Sequence, residues 1–261
     1  MDSKYVETGD FETRFRAAGH SIGIVVLAFA VGIALSLAGL FVLGLYMPVY
    51  DSADSLLPTP YVVSSGLQFV GFLLAGVGYL YFFSDRELIG IGLPSLRGIG
   101  FVIGGTVALF VLNLVVGIVA QYLGMETAEN AVVTMGQQHP EVFLAMVPIT
   151  VLLVAPGEEL VFRGIVQGLF RRAYGPLPAV LIASVLFGAV HYVALTGSGK
   201  LVYVGVAAAL GLVLGTIYEL SGNLTVPILA HGLWNAYLFL SQWAVAVYDI
   251  EAAMTVAQAL A

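Results

Sequence analysis

Long apolar stretches, scarcely interrupted by charge, run from Ile22 to Tyr46, Tyr61 to Phe83, Ile99 to Leu123, Leu177 to Leu195, Leu201 to Leu220 and Leu224 to Val247. A seventh begins at Val142 and continues into APGEELVFRGIVQGLFRR, Ala155 to Arg172. A helix needs roughly 20 apolar residues to cross a bilayer, and each run is of that order. In hydrocarbon only helices and closed barrels satisfy their own backbone, and the ten-residue alternation of barrel strands is absent. The pattern therefore predicts an all-α fold, a polytopic transmembrane helix bundle of 7–8 helices, with no need of strands. Pro156 and Gly157 weaken or kink the Val142 run, and a split there would supply the eighth helix. The first run exceeds the about 7 to 15 residues of a cleaved signal's apolar region and follows a mixed-charge leader, Met1 to His20, so it reads as a retained helix. The chain divides into a leader (1–21), N-terminal transmembrane helices (22–141), a core (142–247) and a tail (248–261).

Composition agrees: 60% of the 261 residues are hydrophobic and 10% charged, against about 25% charged in ordinary soluble domains. The basic residues add direction. Lys4, Arg14 and Arg16 precede the first run, Arg86 and Arg97 lie between the second and third, and Arg171 and Arg172 close the Val142 run, while the loops Met47 to Pro60 and Gly124 to Glu141 hold no Lys or Arg. By the positive-inside rule the arginine loops and the N-terminus are cytoplasmic, in a multi-pass protein of the plasma (cell) membrane, with Lys200 the one dissenter. Seven spans put the tail Asp249 to Ala261 outside, and an eighth reverses that. Cysteine is absent, which removes disulfides, thiolate metal sites and cysteine nucleophiles. The net charge of -7 speaks against a nucleic-acid partner. Small-residue pairs four apart, Gly100/Gly104 and Gly211/Gly215, fit either close helix approach or chance spacing in a glycine-rich chain.

The polar residues at membrane depth are few: Gln68, Asn113, Glu158, Glu159, Arg163, His191, Glu219, His231 and Asn235. An ionisable side chain at the bilayer centre costs roughly 2.5 to 3.5 kcal/mol on insertion scales, so a group of them reads as functional and must face protein. Gln68 and Asn113 are assigned to interhelical hydrogen bonds and Glu219 to the interface. Within EELVFR, Glu159 and Arg163 are four apart on one helical face, and Glu158 is turned about 100° away. Glu158 is thus the free carboxylate, and Glu159 is neutralised by Arg163. Phe187 and His191 share a face of the next helix, as do His231 and Asn235 of the last. Counted at ~1.5 Å per residue, Glu158 and His191 both lie about 21 Å from the cytoplasmic ends, but His231 only about 10 Å. Either the Ser221 to Leu224 connection is sunk into the protein or a helix is tilted.

Glu158-Glu159 with Arg163 (EExxxR), Phe187 with His191 (FxxxH) and His231 with Asn235 (HxxxN) resemble, in this order, the three motifs of the CPBP family of CAAX prenyl endopeptidases and bacteriocin-processing proteins, intramembrane proteases often called metalloproteases. The resemblance covers about Val142 to Phe239. It implies a cytoplasm-facing cavity in which Glu158 is the general base, His191 holds the water, and His231 and Asn235 stabilise the oxyanion, with Glu159 and Arg163 fixing the first helix. It also implies a lipid bilayer and a peptide or membrane-protein substrate as partners. A divalent metal such as zinc is an open question: Glu158, His191 and His231 would form a His2Glu ligand set, at the cost of the only free carboxylate. A metal-free scheme keeps Glu158 as base and is preferred. Two other classes compete. Buried Glu, His and Arg also line proton-coupled carriers, though no inverted repeat is visible, and a non-catalytic immunity-type membrane protein fits the same family.

Overall fold

The computed structural model describes residues 9–52, 55–83 and 88–248. Lys4, Arg86 and the tail beyond Tyr248 lie outside the described residues, so the sequence expectations placed on them are carried no further.

Among the described residues eight helices account for the fold. α1 (Phe11–Gly44) is capped by Asp10, whose side chain accepts from the Thr13 amide at 2.8 Å. Hydrogen bonds from Thr13 hold that carboxyl below its usual range. α2 (Pro58–Phe82) opens with proline in its first turn, where no amide is missed. α3 (Leu96–Tyr122) and the short α4 (Ala131–Gln138) take their caps from Ser95 and Asn130. α5 (Glu141–Tyr174), α6 (Pro176–His191, closed by a 3-10 turn at Tyr192–Ala194), α7 (Lys200–Ser221) and α8 (Thr225–Tyr248) complete the bundle. Among the described residues six stretches are long and apolar enough to span a membrane: α1, α2, α3, α5, α6 with its turn, and α7. α8, at 24 residues, reaches about 36 Å but carries His231, Asn235 and Gln242, which make it less apolar. Side chains such as Val26, Ile103, Val107 and Val185 stand more than half exposed on the outside of the bundle, as a lipid-facing surface requires.

The Val142 run does not split at Pro156. It continues as one rod in which α-helical Glu141–Ile149, Ala155–Glu159 and Gly168–Tyr174 alternate with π-helical Thr150–Val154 and Leu160–Gln167. Proline removes an amide donor, and the wider i→i+5 turn absorbs that loss without breaking the helix. The expectation of no strands is corrected on a small scale. β1 (Tyr50–Ser52) pairs β2 (Ser55–Leu56), and β3 (Glu129–Asn130) pairs β4 (Leu195–Thr196), both antiparallel and both in loops between helices.

The connections sort into two ends. At one, the Gly9 amide donates to Ala173 O at 2.9 Å, the Arg14 guanidinium lies 5.4 Å from the Tyr174 ring, and His20 Nδ1 meets the Tyr79 hydroxyl at 2.8 Å. There too the Leu224 amide donates to Gly90 O at 2.7 Å, and the Asn223 side chain exchanges hydrogen bonds with the Gly92 backbone. This end gathers Arg14, Arg16, Arg97, Arg171 and Arg172. Lys200 sits at the opposite end, with β1 to β4, α4 and the C-terminus of α8. The same contacts explain the shallow count for His231: the segment 88–92 folds over the Ser221–Leu224 connection, leaving Leu224 1% exposed and Val226 fully buried. The connection is sunk, as one of the two alternatives required.

Of the two small-residue pairs, one holds. A Cβ on Gly211 would lie 3.2 Å from Ser184 Cβ, and one on Gly215 would lie 2.8 Å from Gln167 Oε1, so α7 touches α5 and α6 there. Gly100 and Gly104 meet nothing within 4 Å. The tight contact on α3 is Gly105, one residue on, against Ile217.

Candidate catalytic cavity

Along α5 the residues Met146, Thr150, Val154, Glu158 and Phe162, each four apart, all line one cavity. In a pure α-helix that spacing drifts about 40° per step and would carry Phe162 round to the far side. The π-helical segments hold more residues per turn and cancel the drift, so the stripe stays on one face. The same correction keeps Glu159, Arg163 and Gln167 on a second face, fully buried against α7 and α8.

On that buried face Arg163 Nε lies 3.4 Å from Glu159 Oε2, both side chains being inaccessible. The guanidinium stacks 4.5 Å from the Phe187 ring centroid and donates through Nη2 to Gly211 O at 3.4 Å. Gln167 continues the row, donating to Gly215 O at 3.1 Å and to Glu219 Oε1 at 2.9 Å. Glu219 in turn lies 3.5 Å from Arg171. The expected Glu159–Arg163 pair is present, but Glu159 is not spent on it. Its Oε1 accepts from His231 Nδ1 at 2.9 Å.

That bond sets the chemistry of His231. A carboxylate can only accept, so Nδ1 carries the proton, and Nε2 is then free to accept from Asn235 Nδ2 at 3.0 Å. Nε2 also lies 3.7 Å from Glu158 Oε2. Asn235 uses its second amide hydrogen on Thr150 Oγ1 at 3.1 Å. His191 is fixed in the same way: Nδ1 donates to Phe187 O at 2.7 Å and Nε2 is left as an acceptor. The Phe187 ring links the two imidazoles, 4.6 Å from His191 and 6.2 Å from His231.

Glu158 and His231 together with Asn235 therefore meet directly, and His191 lines the same cavity from α6. Thr150 and Gln167 were missed by sequence reading. In a pure α-helix each would lie about 80° from the glutamate eight residues away, and only the π-helical segments bring them onto the same row. Gln68 and Asn113 are corrected: both line the cavity, and among the described residues neither bonds a neighbouring helix. The three residues of the His2Glu candidate set, Glu158, His191 and His231, all line the cavity. Among the described residues no group of three or more His, Asp or Glu side chains is arranged to hold a metal ion, and His231 turns one nitrogen to Glu159 and the other to Asn235.

The cavity has a volume of about 960 Å³ and a largely apolar wall, with Ile33, Leu40, Val116, Leu210 and Leu238 among its lining. It occupies the half of the bundle remote from the arginines, where Leu56, Thr127 to Val133, Val193 and Ala194 are part of its lining. The described arginines and the cavity thus lie towards opposite ends of the bundle.

Residues 140–237 match the family described as "Type II CAAX prenyl endopeptidase Rce1-like". The match contains α5 to α8 up to Tyr237, and with them the buried row and Glu158, His191, His231 and Asn235. No curated protein and no solved structure matches the chain.

Proposed function

We propose that this chain, which carries an Rce1-like domain of the CAAX-type intramembrane protease family over residues 140–237, hydrolyses a peptide bond inside its cavity. The observation that carries the reading is the convergence of Glu158, His231 and Asn235 at the cavity floor, with His231 oriented from behind by Glu159. Glu158 takes a proton from a water held between its carboxylate and His191 Nε2. The hydroxide forms a bond to the substrate carbonyl carbon, and the carbonyl oxygen becomes an oxyanion. Asn235 Nδ2–H, released from His231 Nε2, donates to that oxyanion. Glu158 then returns its proton to the amide nitrogen as the C–N bond breaks, giving a carboxylic acid and an amine. The scheme routes no step through a metal, a reading supported by His231, whose Nδ1 meets Glu159 and whose Nε2 meets Asn235.

The test is cleavage of a mixture of synthetic apolar peptides by purified protein in lipid nanodiscs, read by mass spectrometry. Glu158→Gln should lower the rate by about 10²-fold or more, the usual contribution of a general base, with thermal unfolding moved by less than about 2 °C. Cleavage by Glu158→Gln within a factor of two of the parent would remove Glu158 as base. A parent that cleaves nothing but moves a solute across the bilayer would instead support the carrier class.

A further inference from the structure

The geometry points to a peptidase whose substrate arrives from the extracytoplasmic side. This rests on the proposed function and adds the face from which the site is served. Two independent observations combine. Arg14, Arg16, Arg97, Arg171 and Arg172 sit at one end of the bundle, joined by the contacts of Gly9 with Ala173, of Arg171 with Glu219 and of Asn223 with Gly92. Basic residues in short loops are retained on the cytoplasmic side. Among the described residues the other end holds one cation, Lys200, against Glu126, Glu129 and Glu141. The cavity lies wholly in the half towards that second end. Every helix that lines it contributes its distal half: α1 from Phe29 to Leu40, α3 from Leu109 to Ala120, α8 from His231 to Gln242.

Towards the arginine end the cavity is closed by packed side chains. Phe162, Ile165 and Val166 are at most 1% exposed, and Arg163 and Gln167 fill the space between α5 and α7. A peptide therefore cannot reach Glu158 from the cytoplasm without unpacking the core. From the end remote from the arginines, Glu141 to Glu158 spans about 26 Å along α5, which about eight residues of extended chain would cover. The occupant that fits is an exported or membrane-anchored chain offering an unfolded, mainly apolar segment of about that length on the outer side.

The absence of native cysteine makes the test clean. Single variants Ser95→Cys at the arginine end, Ser55→Cys and Gln137→Cys at the opposite end, and Asn113→Cys inside the cavity are treated with a charged, membrane-impermeant thiol reagent. Whole cells and inside-out vesicles are compared. Ser55→Cys, Gln137→Cys and Asn113→Cys should react in whole cells, and Ser95→Cys only in inside-out vesicles. Reaction of Ser95→Cys in whole cells, or failure of Asn113→Cys to react there, overturns the assignment. Labelling needs no turnover, so an inactive protein still reports its sidedness. In proteoliposomes of known orientation, the apolar peptides should be cut only when supplied on the side opposite the arginines. Cleavage only on the arginine side overturns the sidedness and leaves the peptidase reading standing, whereas no cleavage on either side counts against that reading alone.

Discussion

Glu158 and Glu159 are neighbours in sequence with opposite surroundings. Glu158 is open to the cavity at 12% exposure, while Glu159 is sealed between Arg163 and His231. Their substitutions should separate accordingly. Glu159→Gln should lower kcat strongly with little change in KM, because the amide holds His231 less firmly in the Nδ1–H tautomer. Arg163→Leu, which strands a buried carboxylate, should cost about 3 to 5 kcal/mol of stability, read as thermal unfolding in detergent, where Glu158→Gln should cost almost nothing. Purified active protein should carry substoichiometric metal and keep its rate in 1,10-phenanthroline. One zinc per chain, with activity lost on removal and restored by zinc, would refute the metal-free scheme. Much of the site was legible in the sequence, since the phase difference between adjacent positions on a helix follows from 3.6 residues per turn. What was not legible is the bond from Glu159 to His231. It joins positions 72 apart through the mutual placement of α5 and α8, and no local periodicity encodes that.

At the level of elements, glycine acts by position, not by spacing. At the α1–α2 crossing a Cβ on Gly32 would lie 2.7 Å from the Gln68 carbonyl oxygen, a backbone atom that cannot swing aside. Gly32→Ala should therefore lower the unfolding temperature, whereas Gly104→Ala, with open space around it, should leave it unchanged or raise it, the helix-propensity gain being up to about 1 kcal/mol. Equal effects of the two would mean that α1 and α2 do not cross at Gly32. The runs of apolar residues sufficed for the helices themselves, because burial of backbone in hydrocarbon leaves few alternatives. They could not reveal the π-helical segments of α5. Those depend on how Pro148 and Pro156 remove donors and on which neighbours accept a wider turn, and a pattern read at 3.6 residues per turn is blind to both. Gly100/Gly104 misled for a related reason: four-residue spacing marks a face of α3, but only the partner's location decides whether that face is in contact.

For the molecule as a whole, cavity and charge asymmetry belong to opposite ends of one bundle. The half that carries the motifs also carries nearly all the buried polarity, and the remaining helices serve as wall and lipid-facing shell. The buried row on α5 has a consequence for how the protein is made. Arg163 has its carboxylate partner Glu159 on the same helix, but its carbonyl acceptor, Gly211 O, and the histidine that completes Glu159 belong to helices the ribosome delivers later. An arginine in a lone helix costs roughly 2.5 to 3.5 kcal/mol at the membrane centre, so α5 leaves the translocon as a poorly satisfied guest and waits for α7 and α8 to be synthesised. A chain stopped after Thr196 should therefore be degraded quickly or leave α5 outside the bilayer, as read by pulse–chase and glycosylation mapping, while the same truncation with Glu159→Leu and Arg163→Leu should insert and persist. Nascent chains of this protein are thus most vulnerable to quality-control proteases during the interval between the emergence of α5 and that of α8.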